Sequence, residues 1–174
     1  MEILKQFVPS QVCLSCDGCC RFKDEDSQWR PRLGEDERRT GKLFKKVSAP
    51  QIDGQGFLKT VPCGIGHLCQ FFNAKDHTCG VYGSRPFECA LYPFILARTE
   101  GHFEVCVHLS CPFVQEHIGR DPFKAYVDYL KGYLARTETL VFLKKNLSLF
   151  QDYTAFRDEL ECLFTVELHE QHGS

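Results

Sequence analysis

Hydrophobic positions change their period along the chain, and the change predicts different elements in its two parts. In F-I-L-A-R-T-E-G-H-F-E-V-C-V-H, Phe103, Val105 and Val107 alternate with polar or cysteine positions. A period of two predicts an extended pair over Phe94–Arg98 and His102–His108, turning at Glu100-Gly101. Downstream, D-P-F-K-A-Y-V-D-Y-L-K-G-Y-L places Phe123, Tyr126, Val127, Leu130 and Leu134 on one face at helical spacing, after an Asp-Pro start. Further helices are predicted at Thr137–Leu149 and Tyr153–Leu163. Upstream, Pro31 to Val47 reads as a short charged helix starting near Gly34, with acids in its first turn and lysines in its last. The stretch A-P-Q-I-D-G-Q-G-F-L-K-T-V-P-C predicts a turn at Asp53-Gly54 between short extended segments.

These elements predict an irregular α+β fold. Residues 1–115, rich in Cys, Gly and Pro, form a metal-organised part of short strands and loops. Residues 116–174 form a helical extension, expected to cover the cysteine-rich part or a partner subunit. At 174 residues the chain fits one compact domain, or one domain with a small subdomain.

Composition narrows the function classes. Apolar residues make up 43% of the chain, and 15 phenylalanines against one methionine and one tryptophan give a phenylalanine-heavy core. The net charge of −2 gives no reason to expect nucleic acid or an anionic membrane surface as a partner. No apolar run approaches the roughly 18–20 residues of a membrane span. The first residues lack the charged-then-apolar pattern of a signal peptide, so a cytoplasmic location is expected.

The cysteines carry the chemistry. There are eleven: Cys13, Cys16, Cys19, Cys20, Cys63, Cys69, Cys79, Cys89, Cys106, Cys111 and Cys162. In a reducing cytosol such a set points to metal ligands or catalytic thiols rather than to structural disulfides, and the odd count agrees. The spacing is C-x2-C-x2-C-C, then C-x5-C, two gaps of nine residues, and C-x4-C-P. The first ten are therefore candidate metal ligands. Four thiolates satisfy either zinc or an iron–sulfur core, [4Fe–4S] among them. Ten allow two four-ligand sites, or one site with thiols around it.

Gly18 is expected to turn the first loop through positive φ. If the stretch is extended, the adjacent Cys19 and Cys20 point to opposite sides, serving one site from both flanks or two neighbouring sites. A buried anionic site needs donors. Arg85, four residues before Cys89, is the candidate cation, and Tyr82 is a candidate O–H donor to sulfur. His67, His77 and His108 lie near cysteines and are alternative zinc ligands. Phe71, Phe72 and Phe113 read as packing around the cysteines, and Asp24-Glu25-Asp26 as a solvated turn.

The segments C-L-S-C-D-G-C-C, C-Q-F-F and C-G-V-Y-G-S-R-P-F-E-C-A-L-Y-P resemble the YkgJ-type cysteine-cluster family, a zinc- or iron-chelating domain. The match runs through Cys13, Cys16, Cys19, Cys20, Cys69, Cys79, Tyr82, Arg85, Pro86, Cys89 and Pro93, with Asp17 where the family usually has glycine. It covers roughly residues 10–115. The resemblance implies a bound metal or cluster, and with iron a redox partner or a protein substrate for cluster-dependent modification. Flagellin lysine N-methylases share this cysteine domain, which makes a protein methyltransferase the alternative. No Gly-rich strand–loop–helix for S-adenosylmethionine is present in the sequence.

Overall fold

In the computed structural model, residues 2–16, 18–40 and 50–168 are described, and the short extended runs form small antiparallel sheets. The chain divides into two compact units: residues 8–91, and residues 92–168 together with 2–7. Composition changes near residue 115, whereas packing changes at 91. The hairpin expected over 94–108 therefore belongs with the helical residues.

The 8–91 unit begins with α1 (Ser10–Ser15), whose Cys13 N–H bonds to the Pro9 carbonyl at 2.9 Å. A single 3₁₀ turn, Gly18–Cys20, leads into β1 (Arg21–Phe22). Next comes α2 (Glu35–Thr40), with three acids in its first turn and Arg38 and Arg39 in its last. Glu37 Oε2 accepts the Gly34 N–H at 2.8 Å, a capping bond that starts the helix where the sequence placed it. Residues 41–49 of the predicted charged helix lie outside the described residues.

After the Asp53 turn come β2 (Thr60–Cys63), β3 (Gly66–Cys69), β4 (Phe72–Asn73), β5 (Thr78–Cys79) and α3 (Phe87–Leu91). β3 lies between β1 and β2, and β4 pairs with β5. The Asp53 turn is tightly tied. Its Oδ1 accepts the N–H groups of Gln55 (2.9 Å) and Phe57 (3.0 Å), and its Oδ2 pairs with buried Arg30 at 3.1 Å. Gly56 in this turn has φ +92°, where a side chain would be strained.

The core of this unit is small. Phe22, Leu33, Leu58, Val81 and Cys69 are buried together, with Trp29, Ile52, Phe71, Phe72, Cys20 and Cys79 packed against them. Two cysteines outside the core proper thus rest on the same apolar cluster that buries Cys69.

The other unit is built on β6 (Phe94–Thr99) and β7 (His102–His108), joined at Thr99↔His102 through Gly101 at φ +79°. Phe103, Val105 and Val107 are buried, as their alternation predicts. Then follow α4 (Pro112–His117), α5 (Asp121–Leu134) and α6 (Thr137–Lys145). Phe123, Val127, Leu130 and Leu134 of α5 are all buried. The N-terminal segment joins this unit. The Phe7 ring meets those of Phe94, Phe113 and Phe123 edge-on at 5.6, 5.2 and 5.6 Å.

Two helical expectations need correction. The helix over 137–149 stops at Lys145, and a 3₁₀ turn, Leu147–Leu149, follows. The helix expected over Tyr153–Leu163 is instead a 3₁₀ segment, Thr154–Glu159, and then strand β8 (Leu160–Thr165) beside β7. The overriding pattern lies downstream. Leu160, Cys162, Phe164, Val166 and Leu168 recur every second residue, and Leu160, Val166 and Leu168 are buried.

Candidate metal centre

Within the 8–91 unit, seven cysteines act on one another: Cys13, Cys16, Cys19, Cys20, Cys69, Cys79 and Cys89. Cys19 is the hub, since its charge bears on Cys13, Cys20, Cys69, Cys79 and Cys89.

Local structure supplies these thiols from six places. Cys13 sits in α1, and Cys16 caps its C-terminal end in extended conformation, with its N–H on the Cys13 carbonyl at 3.4 Å. Cys19 and Cys20 occupy the 3₁₀ turn, Cys69 ends β3, Cys79 ends β5 and Cys89 lies in α3. The turn corrects two expectations. Gly18 is not in the left-handed region, and its role is spatial: a Cβ there would stand 3.7 Å from Cys16 Sγ. Cys19 and Cys20 do not diverge as in a strand. The 3₁₀ geometry lets Cys20 hydrogen-bond to Cys19; Cys19 bears on Cys69 and Cys89, and those two bear on Cys20.

α3 is held from outside the cysteine set. Glu37 Oε1 accepts the N–H of Phe87 at 2.7 Å, and Glu88 Oε2 accepts the N–H of Arg32 at 2.6 Å. These two bonds tie the helix carrying Cys89 to the 32–40 segment. Glu37 and Glu88 were not singled out by the sequence reading. The G-E-D-E spacing of a capping motif was the available signal for Glu37.

The electrostatics show what this set lacks. Burial pushes the Cys69 thiol up to about 11, and raises Cys13, Cys79 and, most strongly, Cys89. Cys20 is raised first by its hydrogen bond to Cys19 and then by burial. Each thiolate formed here makes the next harder to form. A cation bound among the sulfurs reverses that ordering, so the donor set fits a thiophilic metal or cluster. Arg85 is a cation supplied by the protein itself, with Nη1 3.9 Å from Cys13 Sγ and its guanidinium 4.1 Å over the Tyr82 ring. Tyr82 hydrogen-bonds the Cys13 sulfur, and Arg85 also lowers Cys79.

The remaining candidates lie elsewhere. Cys63 is exposed at the end of β2, where the β2–β3 hairpin turns back at Gly66. Cys106 and Cys111 belong to the other unit. Cys106 is bonded to Cys162 in a disulfide, so its sulfur is not a free ligand. Cys111 is buried at the N-cap of α4. His67 Nδ1 lies 3.2 Å from Thr60 Oγ1, His77 sets its ring edge-on to Phe72, and His108 is buried between Tyr92 and Glu159. Phe71 and Phe72 pack beside cysteines as expected, whereas Phe113 stacks on His117 in the other unit.

Among the described residues, the ligand atoms that come within 4.8 Å of one another in a group of three are those of Glu104, Cys106 and Cys162, outside this set. Among the described residues, no helix is long and apolar enough to cross a membrane.

A family model described as "CxxCxxCC: Putative zinc- or iron-chelating domain" matches residues 12–117. No curated protein and no solved structure matches the chain. The matched region contains all seven interacting cysteines, together with Tyr82 and Arg85. The methyltransferase alternative draws no support from this match, whose description is of chelation.

Proposed function

Since the chain belongs to the CxxCxxCC family of zinc- or iron-chelating domains, we propose that Cys13, Cys16, Cys19, Cys20, Cys69, Cys79 and Cys89 supply its metal ligands and that the bound group is an iron–sulfur cluster. The observation that carries this reading is the gathering of seven half-buried or buried thiols in one unit, five of them acted on by Cys19 and the seventh, Cys16, acting on Cys13. Seven sulfurs exceed the four that either one zinc ion or one iron–sulfur core takes, so the set holds ligands and supporting thiols together. A single tetrahedral zinc, with Zn–S bonds of about 2.3 Å, brings its sulfurs to about 3.8 Å from one another. No three sulfurs of this set, among the described residues, lie within 4.8 Å of one another. Wider spacing favours a polynuclear core.

The chain's own residues then have definite tasks. Arg85 and Tyr82 offset the negative charge at Cys13 and Cys79. The Phe22, Leu33 and Leu58 core, with Phe71 and Phe72 against it, shields the Cys69 side from water. Glu37 and Glu88 fix α3 and so Cys89. An iron–sulfur core in this position supplies one-electron redox chemistry. A protein redox partner, or a protein substrate of cluster-dependent modification, follows from that chemistry, and a reducing cytoplasm suits the free thiols.

Anaerobic purification followed by iron, zinc and acid-labile sulfide analysis and a visible spectrum tests the reading. Brown protein with broad absorbance and sulfide is expected. Colourless protein with stoichiometric zinc and no sulfide replaces the cluster by a structural zinc site.

A further inference from the structure

A second group of sulfur chemistry lies in the other unit and outside the family match at its key residue. Cys106 on β7 faces Cys162 on β8, and a disulfide joins them. The register shifts between Val105 and Cys106, a bulge in the strand pair at the disulfide itself. The two residues differ in exposure. Cys106 is fully buried, while Cys162 is exposed. Arg157 Nη1 donates to Cys162 Sγ at 2.7 Å, and Arg157 Nη2 pairs with Glu104 Oε2 at 3.2 Å. Glu104 Oε2 stands 3.6 Å from the same sulfur. The carboxylate thus aims the guanidinium, and the guanidinium faces the sulfur of the exposed cysteine.

We propose that Cys106 and Cys162 form a redox-active dithiol–disulfide couple that exchanges with external thiols, with Cys162 the sulfur attacked and Cys106 the resolving partner. Accessibility assigns the roles. An incoming thiolate reaches Cys162 and cannot reach Cys106. Its sulfur forms a bond to Cys162 Sγ as the Cys106–Cys162 bond breaks, and the electron pair leaves on Cys106 Sγ, which takes a proton. A second external thiolate attacks the external sulfur of the mixed disulfide and releases Cys162 as a thiolate beside Arg157. Two external thiols lose two electrons and become one disulfide, and the pair gains two electrons. Oxidation by an external disulfide is the reverse.

Two further observations favour a cycling couple. Among the described residues the other nine cysteines form no disulfide, so this pair stands in a chain that otherwise keeps its thiols. The guanidinium already opposite Cys162 disfavours a cation there, which argues against reading Glu104, Cys106 and Cys162 as a metal site. Arg157 is a positioning residue, since it acts through the charge on Cys162.

The test uses the full chain with its bound metal, equilibrated without oxygen in graded mixtures of reduced and oxidised glutathione. Free thiols are trapped by alkylation, and the peptides bearing Cys106 and Cys162 are read by mass spectrometry. Both cysteines should pass together from disulfide to dithiol as the ratio changes. Cys106→Ser should accumulate a glutathione adduct on Cys162, whereas Cys162→Ser should show none on Cys106. Alkylation of reduced Cys162 should slow about tenfold in Arg157→Gln, with recovery in Arg157→Lys. Should either serine variant fail to fold, the wild-type titration still decides. A pair that stays oxidised in excess reduced glutathione, stays reduced in excess oxidised glutathione, or titrates as two independent thiols would overturn the proposal, whatever the metal content.

Discussion

Glu37 Oε1 receives the backbone N–H of Phe87 at 2.7 Å, so a carboxylate in the first turn of α2 caps the helix that carries Cys89. Its other oxygen caps its own helix at Gly34. Burial raises the Glu37 carboxyl, and the two backbone bonds partly offset that effect. One side chain therefore sets the position of two short helices that have too few turns to be stable alone.

Glu37→Gln retains the size of the side chain and puts an amide N–H where one acceptor stood. The expected loss is about 1–3 kcal/mol of unfolding free energy in chemical denaturation, from a half-buried N–H left without its acceptor. Metal retention should fall with it, because Cys89 is no longer held. Unchanged stability would show that α3 does not depend on this cap.

Arg85→Gln removes the guanidinium beside Cys13 and Cys79 without removing a thiol. Groups that support metal ligands in this way are worth about 10–100-fold in affinity. Competition with a chelator should show a loss of that order in Arg85→Gln and a smaller one in Arg85→Lys. Equal retention in all three proteins would remove Arg85 from the site.

Asp53 gives the expected acid dependence. Burial alone raises its carboxyl, but the Phe57 and Gln55 N–H groups and Arg30 outweigh burial and hold it below the ordinary carboxylate range. A depressed folded value means that the stabilisation is complete above the unfolded-state pKa of about 3.9 and is lost as pH falls through the lower folded value. Asp53→Asn should cost about 1–3 kcal/mol at pH 7 and distinctly less near pH 2 in denaturant melts. A cost independent of pH would sink this assignment.

Phe94 is fully buried and stacks on Phe123 and Tyr126 at 5.9 and 5.1 Å, with Phe7 edge-on. Phe94→Ala should destabilise the chain by about 3–5 kcal/mol and free the N-terminal segment to proteolysis. A cost below 1 kcal/mol would mean that Phe7 does not dock there.

Local pattern made much of this legible. Alternation at Phe103, Val105 and Val107 specifies a strand and the Phe123-to-Leu134 spacing a helix, because the apolar residues that carry each period are buried. The close Cys13-to-Cys20 spacing also makes the joint action of those thiols readable. Other features depend on partners distant in the chain. Cys162 meets Cys106 across 56 residues, and nothing near either one announces the other. Cys63 sits only six positions before Cys69, yet the β2–β3 hairpin leaves it exposed while Cys69 is buried. The 3₁₀ turn at Gly18–Cys20 likewise reflects packing of Cys20 on the Phe22 and Leu33 core, which no eight-residue window contains.

The most direct measurement is metal per chain in anaerobically purified wild type and three variants: Cys19→Ser with Cys20→Ser, Cys63→Ser, and Cys162→Ser. Loss of metal is expected in the double variant alone, with the other two matching wild type. A double variant that keeps its full metal, or an exposed Cys63 whose removal empties the protein equally, would show that the metal is not held by the thiols gathered around Cys19.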